Sequence, residues 1–332
     1  MSGPDAPVRI GILGAARIAP GALIIPASEN DEVVVAAIAA RDVARAEAFA
    51  TKFGIARVHH SYEALIADPD LDAVYNPLPN ALHGKWTRAA LAVGKHVLCE
   101  KPFTANAAEA REIAEMASKS DRVVMEAFHY CHHPMAVRIE EIVASGELGK
   151  LKRVEAALCF PLPKFSDIRY DYALAGGATM DVGSYAVHMA RRFGGSTPEV
   201  VSAQAKLRDP QVDRAMKAEL RFADGHTGRV RCSLWSTDLL EWSAKVVGDR
   251  GEVRMRVLNP LAPFRRLSVR SAEGNRVERF PQRTSYAYQL DAFAAAVLRG
   301  APVRTSAEDA IENMTVIDGI YRAAGLPLRE PA

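Results

Sequence analysis

No stretch of this chain is apolar for long enough to cross a bilayer. The longest wholly apolar run is Val33 to Ala40, far short of the ~20 residues that a membrane helix requires. Excess charge of one sign is also missing: 42 basic residues face 40 acidic ones, for a net +2. No basic run is present to follow a phosphate backbone, which argues against a nucleic-acid partner. The small pairs Arg191-Arg192 and Arg265-Arg266 are expected on solvated faces. Cysteine is scarce, and Cys99, Cys131, Cys159 and Cys232 lack CxxC spacing. Their scatter indicates neither a zinc site nor a disulfide framework and leads us to expect reduced, buried thiols. The polar start Met1-Ser2-Gly3-Pro4-Asp5 has none of the charged and apolar regions of a signal peptide, so the cytoplasm is the expected compartment.

The chain does have room for two ordinary domains in its 332 residues. From Val8 to about Arg122, apolar runs alternate with helical segments. Val8–Leu13, Val33–Ala39, Ala73–Tyr75 and His96–Cys99 each precede a helical segment, the pattern of a doubly wound parallel sheet. After the second run, Val43, Ala46, Phe49 and Phe53 form one stripe at helical spacing. Asp42 is placed to cap that helix and Gly54 to end it, and Asn106 with Glu109 reads as a capping box. Beyond about Gly146 the texture changes to β-rich segments, Leu151–Phe160, Val200–Leu207, Ala215–Phe222, Gly228–Leu234, Glu241–Val247 and Gly251–Val257. These predict a large, mostly antiparallel open-faced sheet in an α+β domain. Helices are expected over Tyr286–Leu298 and Ala307–Ala324, packing back on the first domain. The expected boundary gives a Rossmann domain over 1–125 and a second domain over 126–332.

Chemistry gathers at several places along the chain. Gly14-Ala15-Ala16-Arg17-Ile18-Ala19 follows the first strand, where a glycine permits the tight turn and small residues let a pyrophosphate approach the backbone. Ala16 stands where the usual second glycine would be. At the end of the second strand Arg41 is placed to meet a 2′-phosphate, which favours NADP, with NAD possible. The alternative leaves Arg41 exposed and gives the ribose to Asp42. Asn76-Pro77-Leu78-Pro79-Asn80-Ala81-Leu82-His83 is a proline-stiffened loop that can flank a ribose and nicotinamide, or an ordinary loop with Asn80 as helix cap. Glu100-Lys101-Pro102 closes a strand and brings Lys101 to the carboxyl edge of the sheet, as a functional lysine or a plain surface one. In the second half, Gly176-Gly177 leads into Asp181, Tyr185 and His188, at helical spacing on one face. A carboxylate and a phenol so placed can grip and deprotonate a hydroxyl; the alternative packs Tyr185 in the core. The cluster His129-Tyr130-Cys131-His132-His133-Pro134 lacks a partner ligand at metal spacing, so no metal is expected.

Together these motifs, in this order, resemble the glucose-fructose oxidoreductase, inositol dehydrogenase and MocA family, Gfo/Idh/MocA, over essentially the whole chain. The most specific of them is Glu100-Lys101-Pro102 after the strand ending His96-Val97-Leu98-Cys99. Tyr185, where many members have histidine, makes the chain similar to the branch of dimeric dihydrodiol dehydrogenase, glucose-fructose oxidoreductase and NADP-dependent D-xylose dehydrogenases. The resemblance implies an NADP-dependent oxidoreductase acting on a sugar, cyclic polyol or diol. It makes Tyr185 the acid/base, Asp181 the sugar-orienting carboxylate and Lys101 the group touching nicotinamide and substrate. Gly14, Ala16, Arg17, Ile18, Arg41, Pro77, Leu78, Asn80, His83, Glu100 and Lys101 would hold the cofactor. His129 and Arg169 would join the substrate site. A tyrosine titrates near pKa ~10, and the Lys101 ammonium would favour its phenolate. Cys131 stands where many relatives carry arginine, which removes a charge from the expected pocket. Relatives also imply a homodimer or homotetramer through the second sheet, and one sugar-pathway repressor supplies the rival reading, a nonenzymatic NADP sensor.

Overall fold

Strand and helix alternate through the first part of the chain in the computed structural model, which describes residues 6–238, 240–257 and 266–332. The order is β1 (Val8–Leu13), α1 (Ile25–Ser28), β2 (Val33–Ala39), α2 (Val43–Phe53), β3 (Arg57–His59), α3 (Tyr62–Ile66), β4 (Ala73–Asn76), α4 (His83–Ala92), β5 (His96–Cys99), α5 (Ala107–Ser118) and β6 (Val124–Glu126). The six strands are parallel and lie in the order β3-β2-β1-β4-β5-β6. β4 and β5 are buried at every position, as strands covered on both faces must be. Strand order reverses between β1 and β4, and the crevice at their carboxyl ends is where open α/β sheets take ligands.

The helices start and stop where local chemistry directs. Asp42 accepts a hydrogen bond from the Arg45 N–H at 3.2 Å, and Gly54 ends α2 in the left-handed region at φ 69°. Asn106 caps α5 by accepting from the Glu109 N–H at 3.0 Å, while the Glu109 carboxylate accepts from the Ala105 N–H at 3.0 Å. Ala46 and Ala50 of α2 are buried, with Phe49 and Phe53 packed against the same core.

There follow α6 (Pro134–Ala144), β7 (Leu151–Cys159), α7 (Ser184–Gly194), β8 (Glu199–Asp209), β9 (Val212–Arg221), β10 (Thr227–Ser233), β11 (Glu241–Gly248), β12 (Gly251–Val257), β13 (Arg266–Ser271), β14 (Gly274–Arg279), α8 (Ser285–Arg299) and α9 (Ala307–Ala323). The eight strands form one sheet, ordered β14-β13-β12-β11-β7-β10-β9-β8. Every neighbouring pair is antiparallel except β7 with β10. α7 lies against β7, β10 and β11. Among the described residues no helix is long and apolar enough to cross a membrane.

Two units share the chain: Met1–His132 with Arg283–Ile311 and Pro331–Ala332 in one, His133–Gln282 with Glu312–Glu330 in the other. The first unit is thus discontinuous in sequence, and Leu290, Phe293 and Ala294 of α8 join its core beside Val8, Ile10 and Leu23. One charged pair departs from expectation. Arg191 is not on a solvated face but only 7% exposed, its Nε donating to Thr197 Oγ1 at 3.0 Å. Arg192 is half-buried and pairs with Glu140 at 3.0 Å. Arg266 is exposed, whereas Arg265 and the start Met1–Asp5 lie outside the described residues.

Candidate active site

In the first unit the turn after β1 is built on Gly14, whose φ of +91° is disfavoured for any residue with a side chain. Its N–H donates to Ala39 O at 2.6 Å, and a Cβ added there would stand 3.0 Å from Leu78 Cδ2. Ala16 is half-buried, while Arg17 and Ile18 are exposed. Regular helix does not begin at once as expected. A π-helical turn over Pro20–Ile24, with proline at its first position, precedes the short α1.

Arg41 is exposed at the end of β2, and among the described residues no carboxylate pairs with its guanidinium. Asp42 is occupied as the cap of α2. Two further residues belong to this corner. Arg45 Nη2 donates to Ala15 O at 2.7 Å and so ties α2 to the turn. Tyr62 lies beside Gly14 and the Arg41 backbone, with its hydroxyl pushed up in pKa chiefly by burial. Neither was marked in the sequence beyond its place, Arg45 in the first turn of α2 and Tyr62 directly after Ser61, whose side chain caps α3 by accepting from the Ala64 N–H. A tight glycine turn beside an unpaired guanidinium fits a dinucleotide carrying a 2′-phosphate.

Pro77 and Leu78 are buried in the loop after β4, and Asn80 opens a 3₁₀ turn, Asn80–Leu82. His83 is 1% exposed, its ring nitrogens 2.8 Å from Pro102 O and 2.7 Å from Leu78 O. Burial, and then the charge of Lys101, hold its pKa down at about 4. The neutral ring donates to one of these carbonyls, and the imidazole links the loop after β4 to the one after β5. Glu100 Oε1 accepts from the Tyr75 hydroxyl at 2.7 Å and its Oε2 from the Lys101 N–H at 3.3 Å. Lys101 itself is partly exposed and precedes a cis proline, Pro102. His129 is buried, its Nδ1 2.7 Å from Ser285 Oγ and its ring 4.0 Å from that of Tyr286. Among the described residues no three His, Cys, Asp or Glu side chains could hold a metal.

In the second unit a π-helical turn, Thr179–Gly183, runs directly into α7. It carries Asp181, and such insertions recur at functional sites because they re-aim side chains. Arg169 Nε lies 3.0 Å from Asp181 Oδ2, and the Asp181 charge raises the guanidinium pKa above its usual range. Asp167 holds Arg169 from the other side at 3.1 Å. Tyr185 is largely buried and meets Trp242 edge to face, with centroids 5.9 Å apart. His188 is fully buried. The structure therefore brings Arg169 onto Asp181, a pairing the separate motifs did not reveal. Cys131 and the other three cysteines are buried free thiols.

The family description "Oxidoreductase family, NAD-binding Rossmann fold" (GFO_IDH_MocA) matches residues 8–128, and "GFO/IDH/MocA C-terminal domain" matches 136–254. The chain is 42% identical over 320 residues to D-xylose 1-dehydrogenase (NADP(+)) 2 of Haloferax volcanii, covering 95% of this chain and 96% of that protein. It is 34% identical over 253 residues to mouse trans-1,2-dihydrobenzene-1,2-diol dehydrogenase, covering 76% of this chain and 75% of that protein. Among solved structures, a 3-ketoreductase from Actinomadura kijaniata in complex with NADP and TDP-benzene superposes with a TM-score of 0.87. That pair is 29% identical, over 96% of this chain and 98% of the other.

Proposed function

The chain belongs to the Gfo/Idh/MocA family of oxidoreductases, and from that premise we propose that it is an NADP-dependent enzyme acting on a sugar, cyclic polyol or diol. The observation that carries this reading is the pair at the start of α7, a phenol, Tyr185, one turn beyond a carboxylate, Asp181, that Arg169 holds in place. A substrate hydroxyl needs both an acceptor for its hydrogen bond and a base for its proton. Asp181 supplies the first and Tyr185 the second, with Lys101 assisting. A nicotinamide held by the residues of the first unit would supply the hydride acceptor for the carbinol carbon. The carbon becomes a carbonyl, the hydroxyl proton passes to Tyr185, and reduction runs the same steps backward. Arg41 supports NADP over NAD, because its exposed guanidinium has no protein carboxylate to satisfy it among the described residues.

Gly14, Ala16, Arg17, Ile18, Arg41, Pro77, Leu78, Asn80, His83, Glu100 and Lys101 form the nucleotide side of this reading. Asp181, Tyr185, Arg169, Lys101 and His129 form the substrate side. Aldoses come first as candidates, since the archaeal relative is named a xylose dehydrogenase. The relatives' names are those of dehydrogenases and reductases, which favours the enzyme over a nonenzymatic sensor. Four buried free thiols support a reducing compartment, the cytoplasm. The broad second sheet supports self-association as a dimer or tetramer.

The test is NADP reduction with aldoses, inositols and cyclic diols, and NADPH oxidation with their keto counterparts. Tyr185→Phe is expected to lose turnover by roughly a hundredfold or more while keeping NADP affinity, and Lys101→Ala to impair chemistry more than folding. Unchanged turnover in Tyr185→Phe would remove that residue from the mechanism.

A further inference from the structure

Asp213 and Arg329 are each 0% exposed, and their side chains approach to 3.2 Å. Burying two charges carries a desolvation penalty before any attraction returns it, and a well-packed apolar pair would serve stability as well. The partners of these charges indicate another use. Asp213 Oδ2 accepts from the Thr179 N–H and from Thr179 Oγ1, both at 2.7 Å, and Oδ1 accepts from Tyr321 at 3.1 Å. Arg329 Nε donates to Gly176 O at 2.6 Å, and its guanidinium lies 4.2 Å from the Tyr321 ring centroid and 5.1 Å from that of Tyr172. Gly177 is wedged against the same groups. At its φ of +134° an added Cβ would fall 2.3 Å from Asp213 Oδ1 and 2.9 Å from Arg329 Nη2. Further along, Asn313 of α9 donates from Nδ2 to Ser184 O at 3.3 Å.

Of the anchored backbone positions, 176 and 179 lie just before Asp181, and 184 immediately precedes Tyr185. We propose that the buried Asp213–Arg329 pair, with Tyr321 and Asn313, is a positioning device that fixes the Asp181 and Tyr185 side chains for proton transfer. None of the four needs to touch substrate; they act through the backbone of the turn and the π-helical segment. The charge is directed at buried peptide groups of this turn, Thr179 N–H and Gly176 O, which a hydrophobic pair would leave unsatisfied. This inference rests on the roles given to Asp181 and Tyr185 above.

The experiment compares Tyr321→Phe, Arg329→Lys and Arg329→Met with the parent enzyme, at a temperature where each is folded by circular dichroism. For Tyr321→Phe and Arg329→Met, kcat is expected to fall roughly ten- to a hundredfold, as small misplacements of reacting groups do. NADP affinity is expected to change less than about twofold, because the nucleotide groups are untouched, and Arg329→Lys should recover part of the loss. Tyr321→Phe removes one hydroxyl and no charge, so it carries the test if both Arg329 variants fail to fold. Parental kcat in variants whose Tm has fallen would overturn the proposal and leave the pair a purely stabilising one. If the parent turns over no sugar or diol, the proposed function fails separately. The crystal structure of Tyr321→Phe then decides the positioning role: a displaced Asp181–Arg169 contact or Tyr185–Trp242 stack supports it, and unchanged placement refutes it.

Discussion

Arg41→Ala separates the nucleotide reading from general damage to the fold. The residue is exposed, its neighbour Asp42 rather than Arg41 caps α2, and no described carboxylate depends on its charge. Removing it orphans nothing, so stability should stay within about 0.5 kcal/mol. A hydrogen bond to a charged group is worth about 1.5–3 kcal/mol, and each 1.4 kcal/mol is tenfold in affinity. NADP binding should therefore weaken by roughly ten- to a hundredfold, whereas NAD, without the 2′-phosphate, should change less than about twofold. Arg45 stays in place on Ala15 O and keeps some positive potential at the corner, which sets the lower end of that range. Titration calorimetry with both dinucleotides at two salt concentrations gives the answer, and the NADP advantage of the parent should shrink as salt rises. Equal loss for NADP and NAD, or a lowered Tm with unchanged preference, would refute the assignment of Arg41.

Gly14→Ala should cost about 1–2 kcal/mol of stability from its left-handed backbone alone. It should also weaken nucleotide binding, because the new methyl presses on Leu78 Cδ2; thermal melts with and without NADP check both, and a parental Tm would contradict the strain. Acid should destabilise the protein through His96 and His133, whose pKa values burial lowers from 6.5 to about 4. Their Nδ1 atoms accept from the Val123 and Met135 N–H groups, so protonation there breaks those bonds. Because the folded values are depressed, the unfolded chain binds more protons below pH 6.5, and stability falls as pH drops from there toward 4, by on the order of 3 kcal/mol per histidine at the end. A Tm that stays level between pH 7 and 5 would contradict this.

Residues whose local chemistry is self-sufficient were legible without coordinates. Asp42, Gly54 and Asn106 act within three residues of themselves, and the apolar runs of β1, β2, β4 and β5 announce a sheet covered on both faces. The hairpin β13–β14 was missed because arginines occupy alternate outward positions, leaving only Leu267 and Val269 to mark the buried face. The π-helical turn at Thr179–Gly183 gave no sign, and Asp213, which accepts from its Thr179 N–H, lies far away in sequence. The same reason hid Arg169 on Asp181 and the link of His83 to Pro102: each is a meeting of loops, and periodicity describes only single segments. Arg191 misled because a charged residue late in a helix reads as solvent-facing, whereas here Thr197 receives its Nε–H.

The return of α8 to the first unit bears on how the chain is made. Leu290, Phe293 and Ala294 complete a core whose other members lie among the first 127 residues. A ribosome has thus delivered every strand of the parallel sheet, and all of the second sheet, before the last apolar helix of the first core emerges. During that interval the sites of α1 and β1 that α8 later covers remain wet and available to chaperones or to other nascent chains. A fragment cut after residue 132 would carry that exposure permanently, and a soluble nucleotide-binding half would have to include the stretch from Arg283 to Ile311.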